Sequence, residues 1–427
     1  MKKVMLFLFI MSLLPLGSAL AQDMPHAGAE IVATYMQSGT YDVGAENIEA
    51  AFEEATGIEL ELVASPWAVL NQNHITDLTT GTGEFDVMSG EFWIASVYDK
   101  MLPLDDLVER DSFGGDYIPT IWQPGPSGYF DGKRIGIPYS ADAYGIVYRT
   151  DIFEEAGLSA DWETWDDYIA TLDALAMHLE GSDIAPSVFS WGASEQTPAI
   201  FLGMYDGYLV DADGNYALDE ASALAALNQM ASLLAYNPEG AAGLSIDESN
   251  AVFLTGNAAT MICWVSFMRA SAQNPDASLV VDNWAVAPFP GPGFPFLSAW
   301  NLFISEYSEN PEAAWEWVKY YINPEQSTQR FVELGVGSPY LSTYEDPELM
   351  EAYSHDFPGM VANLSRAQSV PWVFEAFEIF FRNTSELVIG SISAEEALAN
   401  TLAGWSEVTV PPALVQSAAA QGQQQDM

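Results

Sequence analysis

The N-terminal part of the chain changes its hydrophobic period twice within about thirty residues. Residues 29–36 form a short apolar run, and residues 45–55 then place apolar side chains at helical spacing. Residues 58–62 alternate between apolar side chains and glutamate, which is the period of a strand. A strand, a helix and a second strand in this order indicate a parallel α/β sheet.

Later elements have recognisable starts. Thr164 precedes Asp167 by three residues, a spacing that resembles a capping box and predicts a helix over residues 168–179. Asn310 followed by Pro311 predicts a second helix start, because proline is tolerated at the first helical position. Residues 209–218 contain an Asp-Gly pair between apolar flanks, and we interpret them as a hairpin turn. The glycine offset does not fit a calcium-binding loop.

The first 21 residues are typical of a secretory signal peptide. Lys2 and Lys3 precede an apolar stretch too short to span a bilayer, and Ala19-Leu20-Ala21 fits the small-x-small cleavage rule. No cysteine follows the cut at the position of a lipid anchor, and no later segment is apolar for about 20 residues. We therefore expect an exported, periplasmic protein. Residues 410–427, rich in Ala, Gln and Pro, are expected to be a disordered tail.

Charge narrows the range of partners. The chain has 12 Lys and Arg against 60 Asp and Glu, a net charge of −48 that becomes −50 without Lys2 and Lys3. Nucleic acid and anionic membranes are poor partners for such a field. The simplest interpretation is a solvated acidic surface, suited to salty surroundings. The single cysteine, Cys263, cannot form an internal disulfide and is expected to be a small buried hydrophobic residue.

Motifs for catalysis are missing from the sequence. It contains no G-x-S-x-G, no G-x-x-x-x-G-K-[ST] and no G-x-G-x-x-G, and its four histidines are far apart. We expect no catalytic residue, no metal and no cofactor. The sequence is instead rich in aromatic residues beside turn formers, where strands should end. Open α/β sheets bind ligands in such loops, and aromatic faces suit the C–H faces of sugars.

Several segments in order resemble the extracellular solute-binding proteins of ABC importers, in the carbohydrate-binding group that includes maltose-binding protein. The similarity runs from about Ile31 to Trp405. The segments that carry it are FEEATGIELEL, FDVMSGEFWIASVYDKMLPLDDL, GIPYSADAYGIVYRTDIFEEAGL, ETWDDYIATLDAL, FLTGNAATMICW, NPEAAWEWVKYYINPEQ and AEEALANTLAGW. In the segment before "L-P-L", Lys100-Met101 replaces the usual glycine pair.

This resemblance implies an α/β, type II-like periplasmic-binding-protein fold. Its two lobes would be joined by crossing hinge strands, with the ligand in a cleft between them. Lobe 1 is predicted to comprise residues 22–138 and 284–337, and lobe 2 residues 139–283 and 338–409.

The resemblance also implies binding residues. Trp264 stands where the family has an aromatic that stacks on the sugar, after a strand resembling "A-A-M". Glu91 and Trp93 follow a "D-V" strand, Trp67 comes from the preceding loop, and Gln37 from the loop after the first strand.

The resemblance implies further binding positions on the strands that cross between the lobes and near the C-terminus. Ser298-Ala299-Trp300 replaces the family's frequent Gly-Gly-Trp. For Arg366, an ion pair with the acidic surface is the competing structural interpretation. The implied residues are Tyr139, Asp142, Trp300, Asn301, Arg366 and Trp372.

The implied function is capture of a carbohydrate or polyol and its delivery to the transmembrane subunits of an ABC permease. The protein would act as a monomer. Two alternatives stay open: a secreted glycoside hydrolase or lyase, whose cleft would show the same aromatics and carboxylates, and a receptor for a non-sugar solute. A thermal-shift screen against sugars and polyols separates them, because a ligand that binds only the folded state raises the melting midpoint.

Overall fold

A computed structural model describes residues 24–411 except residues 126, 193–195, 212 and 371. The predicted signal peptide and residues 412–427 of the predicted tail lie outside the described residues. Ten strands are present in the described part: β1 Glu30–Met36, β2 Glu59–Ser65, β3 Val87–Gly90, β4 Tyr129–Phe130, β5 Lys133–Arg134, β6 Gly136–Arg149, β7 Ala185–Val188, β8 Ala258–Trp264, β9 Trp284–Ala287 and β10 Leu297–Ile304.

Helices cover both faces of these strands. Within the described residues they are α1 Tyr41–Thr56, α2 Trp67–Thr80, α3 Asp105–Arg110, α4 Pro119–Trp122, α5 Thr150–Ala156, α6 Trp165–His178, α7 Gln196–Met204, α8 Glu220–Ser232, α9 Ile246–Leu254, α10 Val265–Ala272, α11 Pro311–Tyr321, α12 Pro324–Leu334, α13 Leu341–Glu345, α14 Pro347–Ala352, α15 Phe357–Arg366, α16 Phe374–Val388 and α17 Ala394–Trp405. Short 3₁₀ segments lie at Phe92–Lys100, Leu233–Tyr236 and Ala241–Gly243.

The opening of the chain forms the predicted unit. β1 pairs in parallel with β2 over its whole length, from Glu30 opposite Glu59 to Met36 opposite Ser65, and with β3 on its other side. Helix α1 connects β1 to β2. The strand order is β2-β1-β3-β10-β6-β8-β7, with β9 also paired to β6. The α/β architecture expected from the sequence is confirmed, but the sheet is mixed, because β10 and β6 pair antiparallel with their neighbours β3, β8 and β9.

Strand β6 belongs to two groups of strands. Its first part pairs antiparallel with β10, ending at Ala143 opposite Leu297. Its second part starts at Tyr144, which pairs with Trp264 of β8, and then also pairs with β9. One 14-residue strand therefore connects the β1–β3 side of the sheet to the β7–β9 side. The lobe boundaries remain a prediction. Strand β9, placed in lobe 1 by that prediction, pairs with the second part of β6.

Local chemistry explains where several elements begin. The Thr164 hydroxyl accepts from the Asp167 amide and the Asp167 carboxylate accepts from the Thr164 amide, which confirms the predicted capping box of α6. Helix α11 begins at Pro311, as predicted. Val210 bridges antiparallel to Tyr216, and this pairing confirms the predicted hairpin.

The core occupies both sides of the sheet. Tyr144 and Ile146 of β6 pack into one hydrophobic cluster, while Ile137 and Val147 pack into another. Successive strand residues point to opposite faces, so burial of both sets requires helices on both sides. Cys263 is buried in the second cluster, as expected from its apolar neighbours in the sequence.

Candidate functional site

Glu91 follows directly after β3 and is buried, with 2% of its surface exposed. One carboxylate oxygen, Oε1, accepts a hydrogen bond from the Ala299 amide at 2.7 Å, and Oε2 accepts one from the Ser298 hydroxyl at 3.2 Å. Burial raises the pKa of Glu91 to about 7, although both hydrogen bonds act to lower it. Glu91 therefore ties the end of β3 to β10, and its carboxyl titrates near neutral pH.

Asp142 lies on β6, next to the point where the pairing changes. Its carboxylate accepts hydrogen bonds from the Ser266 amide at 3.0 Å and the Phe267 amide at 3.3 Å, in the first turn of α10. Burial raises the pKa of Asp142 to about 6, against the lowering effect of these bonds. Ser298 is the register partner of Asp142 on β6 and donates its hydroxyl to Glu91.

Tyr41, the first residue of α1, lies near the same carboxyl groups. Its hydroxyl is 3.5 Å from the Ser140 hydroxyl, and its ring is 5.2 Å from that of Trp300, between centroids. Burial raises the pKa of Tyr41, and the charges of Asp142 and Glu91 raise it further. We did not predict Tyr41 from the sequence. The available signal was its place at the start of the helix that follows the first strand.

Trp264 ends β8 and immediately precedes α10. Its ring packs edge-on against Tyr144, at 4.4 Å between centroids, and lies 5.9 Å from Phe296. The indole is partly exposed, unlike the other side chains of β8, which are all buried. Neighbouring aromatic rings thus cover one part of Trp264, while another part remains exposed.

A second aromatic group forms between distant parts of the chain. Trp67, the first residue of α2, lies 5.1 Å from Trp93, and both are partly exposed. Phe374, the first residue of α16, approaches Trp67 at 6.3 Å and Trp93 at 6.4 Å. Phe374 is 42% exposed and was not predicted. The sequence signal was its position just after the predicted aromatic loop around residue 372.

Three of the predicted residues are buried in the protein interior. Tyr139 is fully buried, and its hydroxyl is 2.9 Å from that of Ser89. Trp300 is 6% exposed and rests against Tyr41. Asn301 is fully buried and donates from Nδ2 to the Ser127 hydroxyl at 2.7 Å. These side chains support the strands that carry Glu91, Asp142 and Ser298.

The remaining predicted residues lie elsewhere. Trp372 is fully buried and stacks between Tyr216 and Phe380, so in this structure its indole belongs to the core and offers no surface to a ligand. Arg366 donates to the carbonyls of Phe289 and Gly293. This arrangement differs from the ion pair considered as its alternative role.

Arg366 also lines a separate cavity of about 510 Å³, together with Gln123 and Gln368. Gln37 is exposed after β1, and its backbone amide donates to the Ser65 carbonyl. Of the predicted residues, the structure brings Trp67 and Trp93 into contact and places Glu91 against Ser298, the register partner of Asp142. Trp264 lies beside Tyr144, two residues beyond Asp142 on β6.

The described part of the chain contains neither a metal centre nor a membrane-spanning helix. Among residues 24–411, with the gaps given above, no group of three or more His, Cys, Asp and Glu side chains is arranged to hold a metal ion. Within the same described part, no helix combines the length and apolar character needed to cross a bilayer.

This fold, with a strand shared between two groups of strands and an aromatic, acidic region beside it, matches a known class. Residues 38–328 match the family "Bacterial extracellular solute-binding protein", and the chain belongs to this family. The resemblance seen in the sequence is thereby confirmed. Members of the family, and the solved structures described below, are binding proteins rather than enzymes.

Two relatives illustrate the similarity in sequence. A binding protein of Brucella abortus is 30% identical over 200 residues, which cover 44% of this chain and 46% of the relative. The chain thus matches about half the length of that protein. A Sinorhizobium fredii protein named "Probable amino-acid ABC transporter periplasmic-binding protein" is 24% identical over 409 residues, 91% of this chain and 92% of the relative.

Solved structures agree on the fold. The ABC transporter solute-binding protein of Agrobacterium radiobacter K84, solved with ribitol, has a TM-score of 0.76 at 20% identity, covering 90% of this chain and all of that one. Maltose-bound MalE3 of T. maritima has a TM-score of 0.77 at 22% identity, covering 88% of this chain and 99% of that one. The two-lobe α/β architecture expected from the sequence is consistent with both.

Proposed function

We propose that the protein is the substrate-binding receptor of an ABC transport system and captures a carbohydrate or polyol. The observation that carries the proposal is that partly exposed tryptophans stand at strand ends in both groups of strands. Trp93 follows Glu91 after β3, and Trp264 ends β8, which pairs with the shared strand β6 that carries Asp142. Aromatic faces pack against the C–H groups of a sugar ring, and carboxylates accept its hydroxyl hydrogens.

Capture requires both parts of the molecule. Glu91 and Trp93 come from the β1–β3 side, whereas Trp264 and Phe374 come from the β7–β9 side and its helices. A solute that contacts both sides stabilises the closed arrangement by its differential affinity for that state. The closed form would then be recognised by the transmembrane subunits of the permease, with the protein exported and acting as a monomer.

Relatives and neighbours support this solute class. The Agrobacterium structure contains ribitol and the T. maritima structure contains maltose, so a polyol and a disaccharide are both accommodated by this architecture. The name of the Sinorhizobium relative favours an amino acid as a second candidate solute. An amino acid carries an ammonium group, which the carboxylates of Glu91 and Asp142 would attract, and a carboxylate, which they would repel.

The test is a thermal-shift screen of the full-length mature protein against polyols, mono- and disaccharides and amino acids. A polyol or sugar at a hundredfold excess over its Kd is expected to add about 3 kcal/mol to the free energy of unfolding. The melting midpoint should rise accordingly. Calorimetric titration of the best compound then gives its affinity. A rise with amino acids alone would replace the sugar proposal with the second candidate.

The enzyme alternative predicts a different result on the same samples. Glu91 and Asp142 are both engaged by backbone amides, an arrangement that fixes them as hydrogen-bond acceptors. We expect a bound oligosaccharide to be recovered unchanged by chromatography after prolonged incubation. Accumulation of shorter sugars would support a hydrolase or lyase and contradict the receptor proposal.

A further inference from the structure

Arg269 lies on α10, the helix that follows Trp264, and is buried, with 1% of its surface exposed. Its Nε donates a hydrogen bond of 2.7 Å to Oδ2 of Asp356, which is fully buried directly before α15. Among the ion pairs of Lys and Arg in the described residues, only this one has both side chains buried. The pair therefore connects α10 to α15 inside the protein.

The guanidinium of Arg269 also contacts aromatic rings. Its Cζ lies 3.8 Å from the ring centroid of Tyr353 and 4.4 Å from that of Phe331 on α12. Nη1 is 3.5 Å from the Phe331 carbonyl oxygen. A planar guanidinium can stack on a ring and donate hydrogen bonds in its own plane, which a lysine ammonium cannot do. Arg269 thus connects α10 to α12 as well as to α15.

Helix α12 is attached in turn to the β1–β3 side of the molecule. Arg330, the neighbour of Phe331, lies 3.9 Å from the ring centroid of Tyr321 and donates to the Tyr321 carbonyl at 2.6 Å. The ring of Tyr321 is 5.2 Å from that of Tyr35 on β1, between centroids. The contact of Arg269 with Phe331 therefore joins the helix that follows Trp264 to the side that carries Glu91 and Trp93.

Trp264 is close to these attachments along the chain. It directly precedes α10, and Arg269 follows within about two helical turns. The first turn of α10 is held by Asp142, which accepts hydrogen bonds from the Ser266 and Phe267 amides. A short helix that is attached at both places moves as one body. Its attachments therefore also fix the position of the residue directly before it.

Net stability is a poor explanation for the buried pair. Transfer of two charges out of water is costly, and a buried ion pair often adds no more stability than apolar side chains of similar volume. In the described residues, Nη2 of Arg269 and Oδ1 of Asp356 have no hydrogen-bond partner, so the cost is only partly offset. The pair does restrict geometry, because Nε and Oδ2 meet only when α10 and α15 keep a fixed spacing.

We propose that Arg269 is a positioning residue of the solute site, which holds α10 through Asp356 and Phe331 and thereby fixes Trp264 relative to the β1–β3 side. This inference rests on the proposed function, in which Trp264 contacts the solute. Arg269 itself is buried and touches no solute. Its loss should let α10 and Trp264 move, and should weaken capture while every side chain at the solute stays in place in the sequence.

The position of Trp264 can be measured without any solute, by fluorine NMR of the mature protein labelled with fluorotryptophan. The chain has 13 tryptophans, and Trp264→Phe and Trp405→Phe assign the two resonances that are needed. Trp405 is the reference, because it is buried against α16, where its Nε1 donates to the Ala376 carbonyl. In Arg269→Met the Trp264 resonance should shift or broaden, whereas the Trp405 resonance should stay in place.

Three further variants locate the effect. Asp356→Asn removes the charge that Arg269 pairs with and should displace the Trp264 resonance as well. Arg269→Lys keeps a positive charge for Asp356 but loses the planar contact with the rings, so the displacement should be smaller. Arg269→Lys also decides the question if Arg269→Met does not fold.

Arg149→Met is the matched control. Arg149 pairs with Asp151 and donates to the Gly256 carbonyl, before the start of β8 and far along that strand from Trp264. This variant removes an arginine–aspartate pair from the same side of the molecule. It should leave the Trp264 resonance unchanged, even if urea unfolding shows a loss of stability.

Calorimetry with ribitol and with maltose measures the consequence for binding. For a probe that binds the parent, Kd should rise about three- to thirtyfold in Arg269→Met, the range for residues that act on a site without touching its ligand. Arg149→Met should leave Kd unchanged. Urea unfolding of each variant shows whether affinity and stability change together or separately.

The outcomes separate positioning from a structural role. Displacement of the Trp264 resonance in Arg269→Met and Asp356→Asn, with Trp405 unmoved, supports the proposal. An unmoved Trp264 resonance in variants that unfold at lower urea overturns it, and so does joint displacement of Trp264 and Trp405, which indicates a general loss of packing. Absence of binding of every sugar and polyol to the parent overturns the proposed function instead, and the resonances, recorded without solute, still decide whether Arg269 fixes Trp264.

Discussion

Tyr144 and Trp264 are register partners on β6 and β8, and their rings meet edge-on with centroids 4.4 Å apart and planes inclined by 68°. Tyr144 is the first residue of β6 to pair with β8, and Trp264 is the last residue of β8. The pair therefore marks the point where the shared strand passes from one group of strands to the other. A ligand that contacts Trp264 acts directly on this junction.

Replacement of Trp264 by alanine should affect ligand binding more than folding. Because the indole is partly exposed, its loss should cost only about 1–2 kcal/mol of stability, whereas loss of a stacking aromatic should reduce affinity by about 1–3 kcal/mol, or roughly ten- to a hundredfold. Calorimetric titration with the best sugar or polyol, beside a thermal melt, measures both. A variant that melts far lower yet binds normally would place Trp264 in the core.

Trp372→Ala should give the opposite pattern. This indole is fully buried and stacks against Tyr216 and Phe380, so the cavity should cost about 3–5 kcal/mol of unfolding free energy. Affinity below the melting temperature should change less than threefold. Trp372→Phe, which keeps part of the packing, is the matched control and should lose less stability. A large loss of affinity in the stable control would return residue 372 to the binding site.

Elements with local signals could be predicted from the sequence. The β1-α1-β2 opening follows from the period of apolar residues, and the start of α6 follows from Thr164 and Asp167 alone. Such features depend on residues within one or two turns of each other. The sharing of β6 between two groups of strands was available only through the family resemblance, because pairing with β8 and β10 joins residues more than a hundred positions apart.

The candidate site was less accessible to sequence reasoning. Trp264 and Trp372 both stand beside turn-forming segments, and their patterns do not distinguish an indole at the surface from one in the core. Burial of Trp372 depends on Tyr216 and Trp405, which are remote in the sequence. Tyr41 was missed for a related reason, since only its proximity to Asp142 and Glu91 in the folded chain marks it.

Glu91 should make stability depend on pH near neutrality. Its pKa is raised from 4.5 to about 7, so its protonated form is favoured in the folded state. The stability it contributes is fully present below pH 4.5 and is lost as the pH rises through 7, by on the order of 3 kcal/mol in total. Glu91→Gln should therefore gain stability relative to the parent between pH 5 and pH 8, as measured by urea unfolding.

Glu378→Gln is the control for this comparison. The unfolding free energy of Glu378→Gln should differ from that of the parent by a constant amount over the same pH range, because Glu378 is exposed. If the difference in unfolding free energy between Glu91→Gln and the parent did not change with pH, the Glu91 carboxyl would have the same pKa in the folded and unfolded states. That result would contradict the burial of Glu91 in the folded protein.

The net charge of −48 should make stability depend on salt. Self-repulsion among surface carboxylates is screened as the Debye length falls from about 30 Å at ~10 mM salt to about 3 Å at ~1 M. We expect the melting temperature to rise steadily over this range. Sodium and potassium chloride should act alike if screening is the cause. A melting temperature that does not change with salt would show that the carboxylates are already well separated.

Phe374→Ala should weaken closure while leaving folding almost unchanged. The ring is 42% exposed, yet it approaches Trp67 at 6.3 Å and Trp93 at 6.4 Å across the two sides of the molecule. Aromatic pairs of this kind contribute about 0.5–1.5 kcal/mol, so affinity should fall about two- to tenfold.

Small-angle scattering of the ligand-free variant should show a larger radius of gyration than the parent, because contacts between the two sides have been removed. Ile389→Ala, at the exposed far end of the same helix, is the control and should change neither quantity. An unchanged radius of gyration with normal affinity would mean that Phe374 rests against the two tryptophans without contributing to closure.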